Sequence, residues 1–219
     1  MIKARLKELS VEEFANTITH GFGLVLSLVG FAVLLGLAIS RGGAMLIASC
    51  IVYGISLVTL YAASTVYHGT TSLELKRKLQ IVDHCCIYLL IAGSYTPFGL
   101  VIIGGSLGQS LLILIWVFAA VGIAAKLILR DRYPAVSVVS YLIMGWLGVF
   151  AVQPLLAALG VIPIALAVAG GLAYSLGVIF FAWHRIPHNH AIFHIFVLTG
   201  SVLHYLAVVL YVVPFVIVK

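Results

Sequence analysis

Seven long apolar runs leave this chain little freedom in what it can fold into. They fall at roughly 18–40, 45–68, 80–103, 109–129, 136–157, 162–183 and 190–216 of the 219 residues. A helix needs about 20 predominantly apolar residues to cross the hydrocarbon core of a bilayer. The runs are continuous and do not alternate apolar with polar, which argues against a transmembrane β-barrel. The expected fold is therefore all-α: a polytopic membrane bundle of seven transmembrane helices, residues 18–219 forming one transmembrane domain. Nothing remains for a soluble domain, as 63% hydrophobic residues and a mean hydropathy of +1.24 agree. Residues 1–17 read as a cytoplasmic or interfacial segment whose Leu6, Leu9, Val11 and Phe14 could rest on the membrane surface. The first run is too long for the core of a signal peptide, and no small-residue cleavage site precedes Arg41.

Charge sets the orientation. Lys3, Arg5 and Lys7 precede the first run, Lys76, Arg77 and Lys78 fill the second loop, Arg130 and Arg132 the fourth, and Arg185 the sixth. The other side has only Arg41 and Lys219, so the division is nine against two. Basic residues gather on the cytoplasmic side of membrane proteins. The N-terminus is expected inside and the C-terminus outside, in a multi-pass protein of the cell (plasma or inner) membrane. The net charge of +6 sits in these short loops, which excludes nucleic acid as a partner and suits the anionic lipid headgroups of the inner leaflet. Cys50, Cys85 and Cys86 all fall within runs, two of them adjacent, so no disulfide framework is present; they read as small packing residues, with soft metal ligation by Cys85 or Cys86 as the other reading.

With that orientation, seven of the eight histidines lie in the inner half, and His204 alone is deeper. Ionisable groups at membrane depth are expensive and by default mark a functional site. His190 and His194 stand at i and i+4, so their rings share a helix face. His68 closes the second run near the same level and supplies a third imidazole. Three nitrogen ligands with one open position form the catalytic pattern of tetrahedral zinc, whose bound water becomes acidic. Two bonded histidines at the interface are the plainer reading of the pair. Asp83 is read as the general base for that water, against a helix N-cap or a partner of His84 or Arg77. Ser64, one turn from His68, is read as a donor to a substrate carbonyl, against a bond to its own helix. Glu13, Asn16 and His20 either cap the first helix or support the metal ligands from behind. The hydroxyls of Gly93-Ser94-Tyr95-Thr96-Pro97 line a cavity or satisfy the backbone at a proline kink, the second being favoured; Pro97 and Pro214 are expected to kink their spans. Gly170, Gly171 and Gly177 are expected at close helix contacts.

Five pieces together resemble the haemolysin III branch of the progestin and adipoQ receptor (PAQR) family, within the superfamily that includes the alkaline ceramidases. They are Glu13-Phe14-Ala15-Asn16-Thr17-Ile18-Thr19-His20, Ser64-Thr65-Val66-Tyr67-His68, Asp83, Gly93-Ser94-Tyr95-Thr96-Pro97 and His190-Ala191-Ile192-Phe193-His194. The resemblance spans nearly the whole chain. It implies seven helices with a cytoplasmic N-terminus. It also implies zinc near the inner leaflet held by His68, His190 and His194, with Asp83 and Ser64 beside its water. It further implies lipid amide hydrolysis of the ceramidase type and a role in membrane lipid homeostasis.

Three functions compete. A zinc-dependent hydrolase of a lipid amide or ester predicts a lipid-sized cavity at the metal. A non-enzymatic membrane-state sensor uses zinc only to pin helices. A pore of the haemolysin type is disfavoured, because deep charged rings are absent. Catalysis ranks slightly above sensing.

Overall fold

In a computed structural model the chain is described over residues 2–130 and 132–217, with side chains from 11 to 130 and from 132 to 215. Eight α-helices build it: α1 Ile2–Arg41, α2 Ala44–Gly69, α3 Leu73–Pro97, α4 Gly105–Leu129, α5 Pro134–Trp146, α6 Val152–Leu159, α7 Val161–Ala182 and α8 Asn189–Ala207. They form seven segments long and apolar enough to cross a membrane, α5 and α6 together making the fifth. No strand occurs among the described residues. The all-α, seven-span expectation is met.

The boundaries move in three instructive places. The third span was expected from residue 80 but begins at Leu73, where the Ser72 side chain accepts from Leu75 N–H. A capped, charged first turn carries the helix beyond the apolar run, and Lys78 pairs with Glu74 one turn away. Asp83 therefore lies well inside α3 and is not its N-cap. Second, α1 runs unbroken from Ile2 to Arg41, so the residues before 18 are helical and continuous with the helix of the first span. Glu13, Asn16 and His20 are consequently mid-helix, on one face, and do not cap. Val11 and Phe14 are exposed, whereas the side chains of Leu6 and Leu9 lie outside the described residues. Third, the fifth span is broken by a 3-10 turn, Leu147–Ala151, just before Pro154. Proline removes an amide and crowds the carbonyl four residues back.

Both expected kinks take the form of π-helical turns. Phe98–Ile103 follows Pro97, and Val208–Val212 precedes Pro214, closed by Val213 N–H to Val208 O at 3.0 Å. Such turns absorb the backbone mismatch at a proline and gather at functional sites. Ser94 and Thr96 satisfy carbonyls of their own helix, those of Ile91 and Ala92. Tyr95 acts across the bundle: its hydroxyl donates to Gly145 O (2.6 Å) and accepts from Gly148 N–H (2.8 Å), repairing the break in the fifth span. The backbone reading of this motif holds, with Tyr95 serving a neighbour's backbone.

The core is centred on α2, which packs against α1 and α3. Leu34, Tyr53, Leu57, Tyr61, Val197, Val208 and Val212 fill it, and a second cluster joins α3, α4 and α5 through Tyr88, Ala92, Ile115, Ala119 and Met144. Small residues set the closest approaches. A Cβ on Gly177 would stand 2.9 Å from Phe196 Cβ, and one on Gly170 would strike the His204 ring; Gly171 meets Trp146 only at ordinary distance. Large apolar side chains such as Val29, Ile113, Val121 and Ile179 are exposed outward, as lipid contact requires. Cys50, Cys85 and Cys86 are free thiols, Cys50 and Cys86 buried in the main core.

Candidate metal centre

The site is built where α1, α2, α3 and α8 meet at the end of the bundle carrying the α2–α3 and α7–α8 loops. Asn189 sets the start of α8: its side-chain amide donates to the last carbonyls of α7, Phe180 O (3.1 Å) and Phe181 O (3.0 Å). His190 and His194 then project from the first turns of α8, and His68 from the last turn of α2. One ligand atom from each of His68, His190 and His194 lies within 4.8 Å of the others. No cysteine or carboxylate joins that group among the described residues.

The rings are set for a shared centre. Their centroids are separated by 4.9 Å (His68–His190), 5.0 Å (His68–His194) and 4.6 Å (His190–His194), at interplanar angles of 71–86°. Three imidazoles on one tetrahedral zinc, with bonds of about 2.1 Å, place their centroids about 5 Å apart. His20 does not fit that geometry. It stacks on His194 at 3.4 Å and 18°, so it backs that ring and is not itself turned to the same point.

The partners of the rings fix their tautomers. His68 Nδ1–H donates to Glu13 Oε2 at 2.7 Å, because a carboxylate only accepts. His194 Nδ1 lies 3.1 Å from Thr19 Oγ1, whose own proton goes to Ala15 O and Asn16 O (each 2.9 Å), so His194 Nδ1–H is the donor. In both residues Nε2 is left with its lone pair, as metal ligation requires. His68 Nε2 has no hydrogen bond, and neither have Asn16 Oδ1 or the two ring nitrogens of His20, all buried. Buried polar atoms are almost always partnered, and three residues at one place break that rule together.

Ser64 is exceptional among its kind. Ser49, Ser56, Ser94 and Ser140 all return their hydroxyls to a carbonyl three residues back, whereas Ser64 does not. It is 1% exposed and faces Asp83 on α3, itself 8% exposed. The backbone reading of Ser64 therefore falls, as does capping for Asp83, Asn16 and His20.

Three residues of this neighbourhood were not singled out from the sequence as part of the site. Thr19 stood within a quoted segment, but nothing in its type announced a ring partner. Lys76 was read as an orientation charge facing anionic lipid headgroups, yet its ammonium lies 3.0 Å from Glu13 Oε2. Lys126 was passed over inside the fourth run; it is 3% exposed and within electrostatic reach of Asp83. A lone lysine in an apolar span is itself a signal.

Two shallow, open surface grooves lie elsewhere: one along Val136, Val139 and Ile143, the other between α7 and α8 at Leu176 and Phe196. Neither is lined by the histidines.

The class is thus defined: a seven-helix integral membrane protein with a buried polyhistidine centre. Residues 10–205 match the family described as haemolysin-III related, and the chain belongs to that family. It is 42% identical to Hemolysin-3 of Bacillus cereus over 210 residues, 96% of each chain. It is 44% identical to a Hemolysin-3 homolog of Bacillus subtilis (strain 168), over 91% of this chain and 94% of the relative. The monocyte to macrophage differentiation factor of Homo sapiens is 34% identical, over 93% of this chain and 86% of that protein.

Proposed function

We propose that this protein serves membrane lipid homeostasis through a zinc centre near the cytoplasmic face, arranged to hydrolyse a lipid amide or ester. The observation that carries the reading is the convergence of unpartnered buried polar atoms from Asn16, His20 and His68 on a three-histidine cluster. Imidazole ligands at tetrahedral spacing favour zinc. When bound, zinc supplies Lewis acidity and an activated water. His68, His190 and His194 hold it; Glu13 and Thr19 orient two of those rings. Asp83 takes the proton of the attacking water and returns it to the leaving group, and Ser64 donates to the carbonyl oxygen as it gains charge. Lys126 balances the carboxylate inside the membrane.

A second reading has its own support. His68, His20 and His194 are 2–4% exposed. A centre so tightly enclosed suits a membrane-state sensor whose zinc pins α2 to α8. The name of the Bacillus relatives points to lysis, but the packed interior of Tyr53, Tyr61, Leu34 and Val208 supports no wide channel.

The test is elemental analysis of purified protein beside His190→Ala/His194→Ala, followed by lipid turnover in vesicles with Asp83→Ala. About one zinc per chain, lost in the double variant, and turnover abolished by Asp83→Ala are expected. No metal in the wild type sinks both readings; metal without turnover leaves the sensor.

A further inference from the structure

The first turn of α3 brings a lysine to the back of the centre, and its contacts are unusual. Lys76 Nζ lies 3.2 Å from Tyr67 O, 3.2 Å from His68 O and 3.4 Å from Thr70 O, besides 3.0 Å from Glu13 Oε2. It also stands 4.9 Å from the centroid of the Tyr67 ring. An ammonium has three N–H donors and here meets four oxygens, so protein groups occupy it fully. Lys78, two residues on, is the contrast. It pairs with Glu74 on its own helix with both side chains open, 70% and 82% exposed, an arrangement that contributes little. The Lys76 side chain is 19% exposed.

Two of these contacts bear on the same histidine from opposite sides. The last carbonyls of α2 have no partner within the helix, and a cation there complements the helix dipole. One of those carbonyls belongs to His68. The same ammonium neutralises the Glu13 oxygen that accepts the His68 Nδ1 proton. Lys76 thus grips the backbone of His68 and, one group removed, its ring. No other cation is paired with Glu13 among the described residues.

We propose that Lys76 is a positioning residue of the histidine centre: through Glu13 it holds the His68 ring in the Nδ1–H tautomer, with Nε2 turned toward His190 and His194. Its effect on metal affinity rests on the metal reading above; its effect on the tautomer does not. In this arrangement the start of α3, the first helix and His68 form one mechanical unit. A change at the start of α3 is felt at the centre without any substrate contact.

The experiment uses the full chain in lipid nanodiscs, with nitrogen-15 labelled histidine for tautomers and competitive zinc titration for affinity. Lys76→Met, Glu13→Gln, the double variant and Lys78→Met are compared with wild type, with Lys76→Gln as substitute where Lys76→Met fails to fold. Lys76→Met and Glu13→Gln are each expected to mix the His68 tautomers in metal-free protein. Each is expected to weaken zinc binding by about 10–100-fold, as loss of an outer partner does. The double variant should be no weaker than the worse single, and Lys78→Met should match wild type. Lys76 is only a cap of α2, and the proposal is overturned, if Lys76→Met lowers thermal stability but leaves tautomer and affinity alone. Multiplying effects in the double variant overturn it too. If wild type binds no zinc, the metal reading fails, while the metal-free tautomer still decides the role of Lys76.

Discussion

Deleting one hydroxyl from either of two tyrosines on α2 should move stability in opposite directions. Tyr53 is fully buried and its hydroxyl has no hydrogen bond. Tyr61, two turns further along, is also buried, but its hydroxyl donates to Ser201 Oγ on α8 at 2.8 Å. Leaving a buried polar group unsatisfied costs about 1–3 kcal/mol, so Tyr53→Phe should recover at least about 1 kcal/mol. For a chain of this size that raises the unfolding midpoint by about 2–4 °C. Hydrogen bonds between membrane helices contribute about 0.6 kcal/mol on average and up to about 1.7. Tyr61→Phe should therefore lower the midpoint by about 1–7 °C. Tyr174 also reaches Ser201 Oγ, at 2.9 Å, and keeps that serine partnered, which holds the loss toward the low end. Thermal unfolding of both variants in the same detergent, followed by tryptophan fluorescence, measures the difference. Equal shifts of the same sign would refute the assignment of an unmet hydroxyl at Tyr53 and a met one at Tyr61.

Metal removal should destabilise the bundle in proportion to occupancy. Removing zinc with a chelator from protein equilibrated in free zinc at a hundredfold the dissociation constant should cost about 2.7 kcal/mol, visible as a lowered midpoint that His190→Ala/His194→Ala no longer shows. Ser64→Ala and Asp83→Asn should each cut lipid hydrolysis by about 10²–10³-fold while leaving zinc content unchanged; unchanged turnover in vesicles would instead favour the sensor. A side chain at Gly122 would run into the Tyr88 ring, so Gly122→Leu should destabilise by about 1–3 kcal/mol, whereas Gly145→Ala, with open space around it, should be neutral or slightly stabilising in a denaturation series.

How far the centre was legible in the sequence can be argued residue by residue. The i, i+4 spacing of His190 and His194 needs only a helix, and apolar run length supplied that helix. His68 and Asp83 were placed at the same end by counting spans, and the structure sets His68 beside the pair. Glu13, Asn16 and His20 were expected either to cap the first helix or to stand behind the histidines; capping fell once α1 proved to begin at Ile2, and Glu13 meets His68 while His20 stacks on His194, pairings the sequence did not specify. Thr19 was not legible, because which threonine meets a ring depends on how α1 crosses α8. Lys126 was legible in principle and overlooked: a single charge does not interrupt an apolar run, yet it is the costliest residue in it. The break in the fifth span escaped because hydropathy does not register backbone geometry, and Tyr95, which repairs the break, lies on another helix.

Composition and run length by themselves determined that this chain is a seven-span helical membrane protein. A bilayer core offers no hydrogen bonds, so the backbone must satisfy itself and the length of each apolar run sets its crossing. Residue identity also determined the inventory of the site, since only a few ionisable side chains occur in lipid-facing runs. Tertiary structure alone decided the rest: the turn of each helix about its axis, which rings meet at 5 Å and which stack, which nitrogen carries the proton, and which serine turns from its own helix. Those depend on interhelical packing set by single glycines, prolines and tyrosines, whose influence acts across helices distant in sequence.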